Sequence, residues 1–195
     1  MRSPPEESSH LMWIRSGAVA GMLAVASYSL LLFGSGSEGF GFLVGSVFGV
    51  GLGVAAYGLF QFVWLHRRTA AAQVAVVATM VGSVVFVLMM ATQLSIRAPL
   101  PSPLRPIGLG AARELADRVH FGLDLAWDLY FALGMWMFGL TAFTHPRLGR
   151  VLGVSGMLIA TALLAVNLAT FPLPPAGAGS IDLGPVAGLW YLAVT

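Results

Sequence analysis

The chain of 195 residues contains no cysteine and no lysine. Without cysteine there can be no disulfide, no thiolate zinc site, no Cys-ligated iron–sulfur cluster and no cysteine nucleophile. Without lysine, neither a retinal nor a pyridoxal Schiff base can form, and no phosphate loop can carry its lysine. Charge is scarce too. Only 9% of residues are charged, against roughly 25% in soluble domains. A net charge of +2, dispersed along the chain, gives no basic patch for nucleic acid.

What is present is apolar: 57% of residues are hydrophobic, and the mean hydropathy is +0.85. Several uninterrupted apolar runs reach the roughly 20 residues an α-helix needs to cross about 30 Å of hydrocarbon. The expected fold is all-α, a polytopic transmembrane helical bundle in the lipid bilayer. Five complete spans are predicted at about 16–33, 41–65, 70–93, 118–143 and 151–171, with a partial sixth at 185–195. Residues 13–195 form one transmembrane domain in this reading, and residues 1–12, opening with the Pro/Ser-rich MRSPPEESSH, form a disordered cytoplasmic tail. Ala24-Val25-Ala26 has the form of a signal-peptidase site, but Glu6 and Glu7 suit a signal n-region poorly, so the first span is read as retained.

Four prolines in RAPLPSPLRPIGLG, residues 97–110, predict an extended or turning surface path. A short interfacial helix is expected over 111–117. The Pro/Gly-rich PLPPAGAGSIDLGP breaks the chain again before a last segment of 11 residues, PVAGLWYLAVT, about half a crossing. The expectation is a sixth helix that continues beyond residue 195.

Arginine placement sets the orientation. Arg2, Arg15, Arg67, Arg68, Arg147 and Arg150 fall on one side, and Arg97, Arg105, Arg113 and Arg118 on the other. The richer side reads as cytoplasmic, placing the N-terminus inside a bacterial inner membrane. Arg67, Arg68, Arg147 and Arg150, joined by His66 and His145, form a basic collar suited to anionic lipid headgroups.

Gly41, Gly45, Gly49 and Gly53 repeat every fourth position. Small residues at this spacing let a neighbouring backbone approach closely, so the face is a packing seam. Packing within the chain is the favoured use. A homo-oligomer or another membrane protein is the alternative partner.

The most informative stretch is VHFGLDLAWD, residues 119–128. His120, Asp124 and Asp128 are four apart and share one helix face. Counting about 1.5 Å per residue from Arg118, Asp124 lies roughly 9 Å deep and Asp128 roughly 15 Å deep. A carboxylate at the bilayer centre costs about 2.5–3.5 kcal/mol on insertion scales, so it must face the bundle interior. With alternating helix directions, Tyr28, Gln93 and Asn167 come to the same half of the membrane, with Arg97 just above. A single polar pocket for proton relay or solute binding is expected, and the structural alternative is a buried network in which Asp128 bonds a tyrosine such as Tyr57.

Metal, cofactor and catalytic roles find little support. One histidine at that depth is a poor start for a metal site, and His66 and His145 lie on the side opposite His120, which removes a bis-histidine haem. Gly153-Val154-Ser155-Gly156 reproduces the GxSG of rhomboid intramembrane proteases, but no histidine base follows Ser155, so it is read as a small-residue packing patch. No metal, cofactor or catalytic residue is assigned.

FALGMWMFGLTAFTHPRLGRVLGVSGMLIATALLAVN, residues 131–167, resembles a class of bacterial six-helix membrane proteins of unknown function: a Gly-rich helix, a short Pro/Arg link, Leu-Gly, then another apolar helix. The following LGPVAGLWYL is similar to that class's final helix. The resemblance implies six helices and brings no catalytic residues. Three functions stay open: a non-catalytic accessory or scaffold subunit, which accounts for every feature; a small-solute or proton-linked transporter or binder using Asp124 and Asp128; and a membrane-embedded metallohydrolase.

Overall fold

The computed structural model describes residues 4–34, 37–97, 109–175 and 177–195. Every described element is a helix: α1 (Pro4–Phe33), α2 (Glu38–His66), α3 (Ala70–Arg97), α4 (Leu109–Phe143), α5 (Gly149–Thr170) and α6 (Gly184–Val194). Among the described residues, α1 to α5 are each long and apolar enough to cross a membrane. Consecutive helices pack as neighbours from α1 to α5, and α6 touches both α5 and α1, which closes the ring.

Two boundaries differ from expectation. Residues 4–12, expected in a disordered tail, belong to α1. Proline fits the first helical turn, where its missing N–H has no partner to lose, and in the second turn His10 Nδ1 shares a hydrogen bond with Gln61 Oε1 of α2, which ties this part of α1 to the bundle. The interfacial helix expected over 111–117 is not separate, because α4 runs unbroken for 35 residues, about 52 Å. Its first turns carry the exposed i,i+4 pair Arg118 Nη2 to Glu114 Oε1 at 2.8 Å, and nothing in that sequence breaks a helix. The extended path predicted for the proline loop lies outside the described residues, as does Arg105.

Small residues set the helix crossings. A methyl group on Gly17 of α1 would sit 2.6 Å from the Cα of Gly58 in α2, so only two glycines allow this approach. Along the predicted glycine face, a Cβ on Gly45 meets Met90, one on Gly49 meets Val87 at 2.6 Å, and one on Gly53 meets Ser83. That face is therefore occupied by α3 of the same chain, except at Gly41, which faces open space. Gly153 packs on Phe143 and Gly156 on the Trp190 indole. Ser155 Oγ donates to the Leu152 carbonyl at 3.2 Å.

The interior of the ring is aromatic. Rings run from Tyr28 to Phe48 (5.1 Å), Phe86 (4.6 Å from Phe48), Trp127 (5.0 Å from Phe86), Phe131 (4.6 Å from Trp127) and Tyr191 (4.9 Å from Phe131). The short helix α6 is fixed to the bundle by polar bonds. Trp190 Nε1 donates to the Leu152 carbonyl of α5 at 2.9 Å. Thr79 Oγ1 donates to the Ala75 carbonyl, leaving its oxygen to accept from the Tyr191 hydroxyl at 3.0 Å.

Candidate functional site

The polar groups gather in one half of the bundle. Antiparallel threading brings together the C-terminal end of α1 (Tyr28), the middle of α4 (His120, Asp124, Asp128), the end of α5 (Asn167) and the loop before α6 (Asp182). Asn167 is buried, at 2% exposure, and its Nδ2 donates to the Leu163 carbonyl at 3.0 Å. The same amide lies near the Asp128 carboxylate. The sequence-stated alternative of a tyrosine partner at Tyr57 does not hold: Tyr57 packs on Trp13 (4.9 Å) and Phe60, toward the other end of α2.

Asp124 sits one turn above Asp128, and the charges that act on it are those of His120 and Asp182. Those that act on the Tyr28 hydroxyl are Asp182, Asp128 and Asp124. No arginine pairs with these three acids among the described residues. His120 Nδ1 is buried and has no hydrogen-bond partner among the described residues.

Asp182 was missed by sequence reading, which took its segment as a Pro/Gly loop. Its Oδ1 accepts from the Gly184 N–H at 2.8 Å and so tethers the start of α6. Its signal is that it is the only Asp, Glu, Arg or His between Arg150 and the last residue given, Thr195.

Gln93 does not join the acids. It lines a separate cavity of about 400 Å³ between α1, α2 and α3, together with Ser37, Phe40, Phe86, Met90 and Tyr28. Tyr28 is thus common to the cavity and the acid cluster. A larger cavity of about 590 Å³ is almost wholly apolar, lined by Trp13, Val50, Val54, Met80, Val84 and their neighbours, and does not reach the acids. Such a groove suits a lipid chain. Among the described residues, no three potential metal-ligating side chains are grouped.

The basic end is organised differently from the expected collar. His145 is buried at 5% exposure and lies 4.9 Å from the His66 ring, edge to face. Its Nδ1 accepts from the backbone N–H groups of Arg147 (3.3 Å) and Leu148 (3.4 Å), so it caps the α4–α5 link and presents no charge to lipid. Burial, then the neighbouring His66 and Arg147, push its pKa below the usual histidine value. Arg68 lies over Trp64 and Arg150 over Phe143, each at 5.7 Å, while Arg67 and Arg147 are exposed.

Compared with protein-family models, with curated proteins and with solved structures, the chain finds no match.

Proposed function

We propose that this multi-pass membrane protein binds a cationic solute or protons at the site formed by the membrane-embedded Asp124, Asp128, Tyr28 and Asn167, with Asp182 in the exposed loop beside them. The observation that carries this reading is that Asp124 and Asp128 stand one turn apart on α4 within a membrane-spanning segment, near Tyr28 and Asn167, with no arginine paired to them among the described residues. Carboxylates at membrane depth are costly, and a chain that keeps Asp124 and Asp128 there has a use for them. A purely structural network would satisfy Asn167 and the helix backbones without acids. The accessory-subunit reading is weaker because Gly45, Gly49 and Gly53 pack against α3 within the chain.

The site opens toward the side opposite the six-arginine face. By arginine placement, and by the likeness of residues 131–167 to bacterial six-helix proteins, this is the periplasmic side of an inner membrane, with the N-terminus in the cytoplasm. Arg67, Arg68, Arg147 and Arg150 hold anionic headgroups on the cytoplasmic side.

The test is a thermal-stability screen of protein purified in lipid, with sodium, potassium, ammonium, magnesium and choline salts against matched salts that vary only the anion. Stabilisation by at least one cation, lost in Asp128→Asn, is the expected result. Stabilisation by none of them, or equal stabilisation of wild type and variant, contradicts the reading.

A further inference from the structure

The cavity between α1, α2 and α3 raises its own question, because its chemistry is mixed where the larger cavity is plainly apolar. Its volume, about 400 Å³, falls in the range of small-molecule sites, roughly 300–1,000 Å³. Its walls carry the rings of Tyr28, Phe40 and Phe86. Behind them, Phe48 stacks on Tyr28 at 5.1 Å and meets Phe86 edge to face at 4.6 Å, so the wall is rigid. Gln93 adds an amide with no hydrogen-bond partner among the described residues. Among the described residues, no lining side chain is charged.

The charge comes from behind the wall. The Tyr28 hydroxyl lies 2.7 Å from the point where a methyl on Gly184 would sit, with Asp182 Oδ1 at 3.0 Å from the same point, and the α4 acids Asp128 and Asp124 are also near. Tyr28 is thus the partition between an uncharged aromatic chamber and a group of carboxylates. A divalent metal ion wants several oxygens converging on one point, and among the described residues no such grouping occurs. A diffuse negative field behind aromatic faces suits a larger, weakly hydrated cation, which gains from the ring quadrupoles without needing direct carboxylate ligation.

We infer that the chamber lined by Tyr28, Phe40, Phe86 and Gln93 binds an organic ammonium ion, held by aromatic faces and by the carboxylates beyond Tyr28. This rests on the cation-binding reading of the acid cluster and specifies its ligand class. The headgroup of a lipid and a free ammonium solute share this chemistry.

The experiment uses full-length protein in nanodiscs of anionic phosphatidylglycerol, which lack ammonium headgroups. Choline is titrated beside its uncharged isostere 3,3-dimethylbutanol, and dissociation constants are read from stability shifts. Choline binds and the isostere does not, and Phe40→Leu, a substitution at a half-exposed ring, weakens choline between about 2-fold and 30-fold, the span of a cation–π contact. Phe86→Leu provides a second readout at the inner wall. Repeating the titration in phosphatidylcholine distinguishes the sources: loss of free choline binding there indicates that lipid headgroups take the site, and retention indicates a free solute. Equal effects of choline and isostere, or choline binding indifferent to both ring substitutions, overturn this inference. If sodium or potassium still stabilises wild type but not Asp128→Asn, the acid-site reading survives that failure. If no cation does, both fall.

Discussion

The Tyr28 hydroxyl and the Asp182 carboxylate converge over Gly184, where an added methyl would lie 2.7 Å from the first and 3.0 Å from the second. The α1 helix and the loop before α6, far apart in sequence, therefore meet at a point where an added methyl must displace one of two side-chain ends. Gly184→Ala is expected to lower stability by about 1–3 kcal/mol, the usual cost of overpacking. Combining it with Tyr28→Phe removes the clashing oxygen and recovers part of the loss, so a double-mutant cycle gives a coupling of at least about 0.5 kcal/mol. Strict additivity would mean that the two groups do not meet.

The α1–α2 crossing gives a matched pair of expectations. Gly58→Ala places a methyl 2.6 Å from the Gly17 Cα, and backbone cannot yield as a flexible side chain does. A loss of about 1–3 kcal/mol is expected, a fall of several degrees in Tm for a chain of this size. Gly41→Ala, in open space, leaves Tm unchanged or slightly raised.

Tyr191→Phe deletes the hydroxyl that donates to Thr79 across the centre of the ring. Thr79 keeps its own bond to Ala75, so no donor is stranded. Interhelical hydrogen bonds in membranes average about 0.6 kcal/mol, and a loss of that order, read in a refolding titration, is expected. A loss above about 2 kcal/mol would show that the bond organises more than its own contact.

His145 gives a pH dependence whose sign is fixed by its environment. Burial and the neighbouring His66 and Arg147 lower its folded pKa, so the unfolded chain takes the proton more readily. Its contribution to stability is whole above the unfolded value of about 6.5 and is lost as pH falls below that toward the folded value. Wild type should lose Tm between pH 7 and pH 5 more steeply than His145→Asn, whose side-chain oxygen can still accept from the Arg147 and Leu148 N–H groups. Parallel slopes in the two proteins would exclude His145 as the source.

The bundle was legible because its signal is long and one-dimensional: apolar runs bounded by Arg, Pro and Gly mark spans without any knowledge of contacts. Tyr28, Gln93 and Asn167 are assigned to the same half as His120 and Asp124 by helix count alone. What periodicity misses is contact across sequence. Asp182 looks like loop until the ring closes and sets it beside Tyr28. Gln93 has the right depth, yet its azimuth around α3 turns it into the neighbouring cavity. His145 reads as one more basic residue beside Arg147, although its ring folds inward onto backbone N–H groups. Depth follows from counting, whereas azimuth depends on how glycines such as Gly17 and Gly58 let the helices cross.

The most direct measurement is the thermal stability of ligand-free protein in native lipid for wild type, Asp124→Asn and Asp128→Asn, with Asn167→Ala as the packing control. Groups kept for their charge are held at a cost, so Asp128→Asn should raise Tm by about 2 °C or more, while Asn167→Ala, which empties a buried bonded position, lowers it. A fall in Tm for both aspartate variants, of the same size as for Asn167→Ala, would contradict the account and assign the carboxylates to packing.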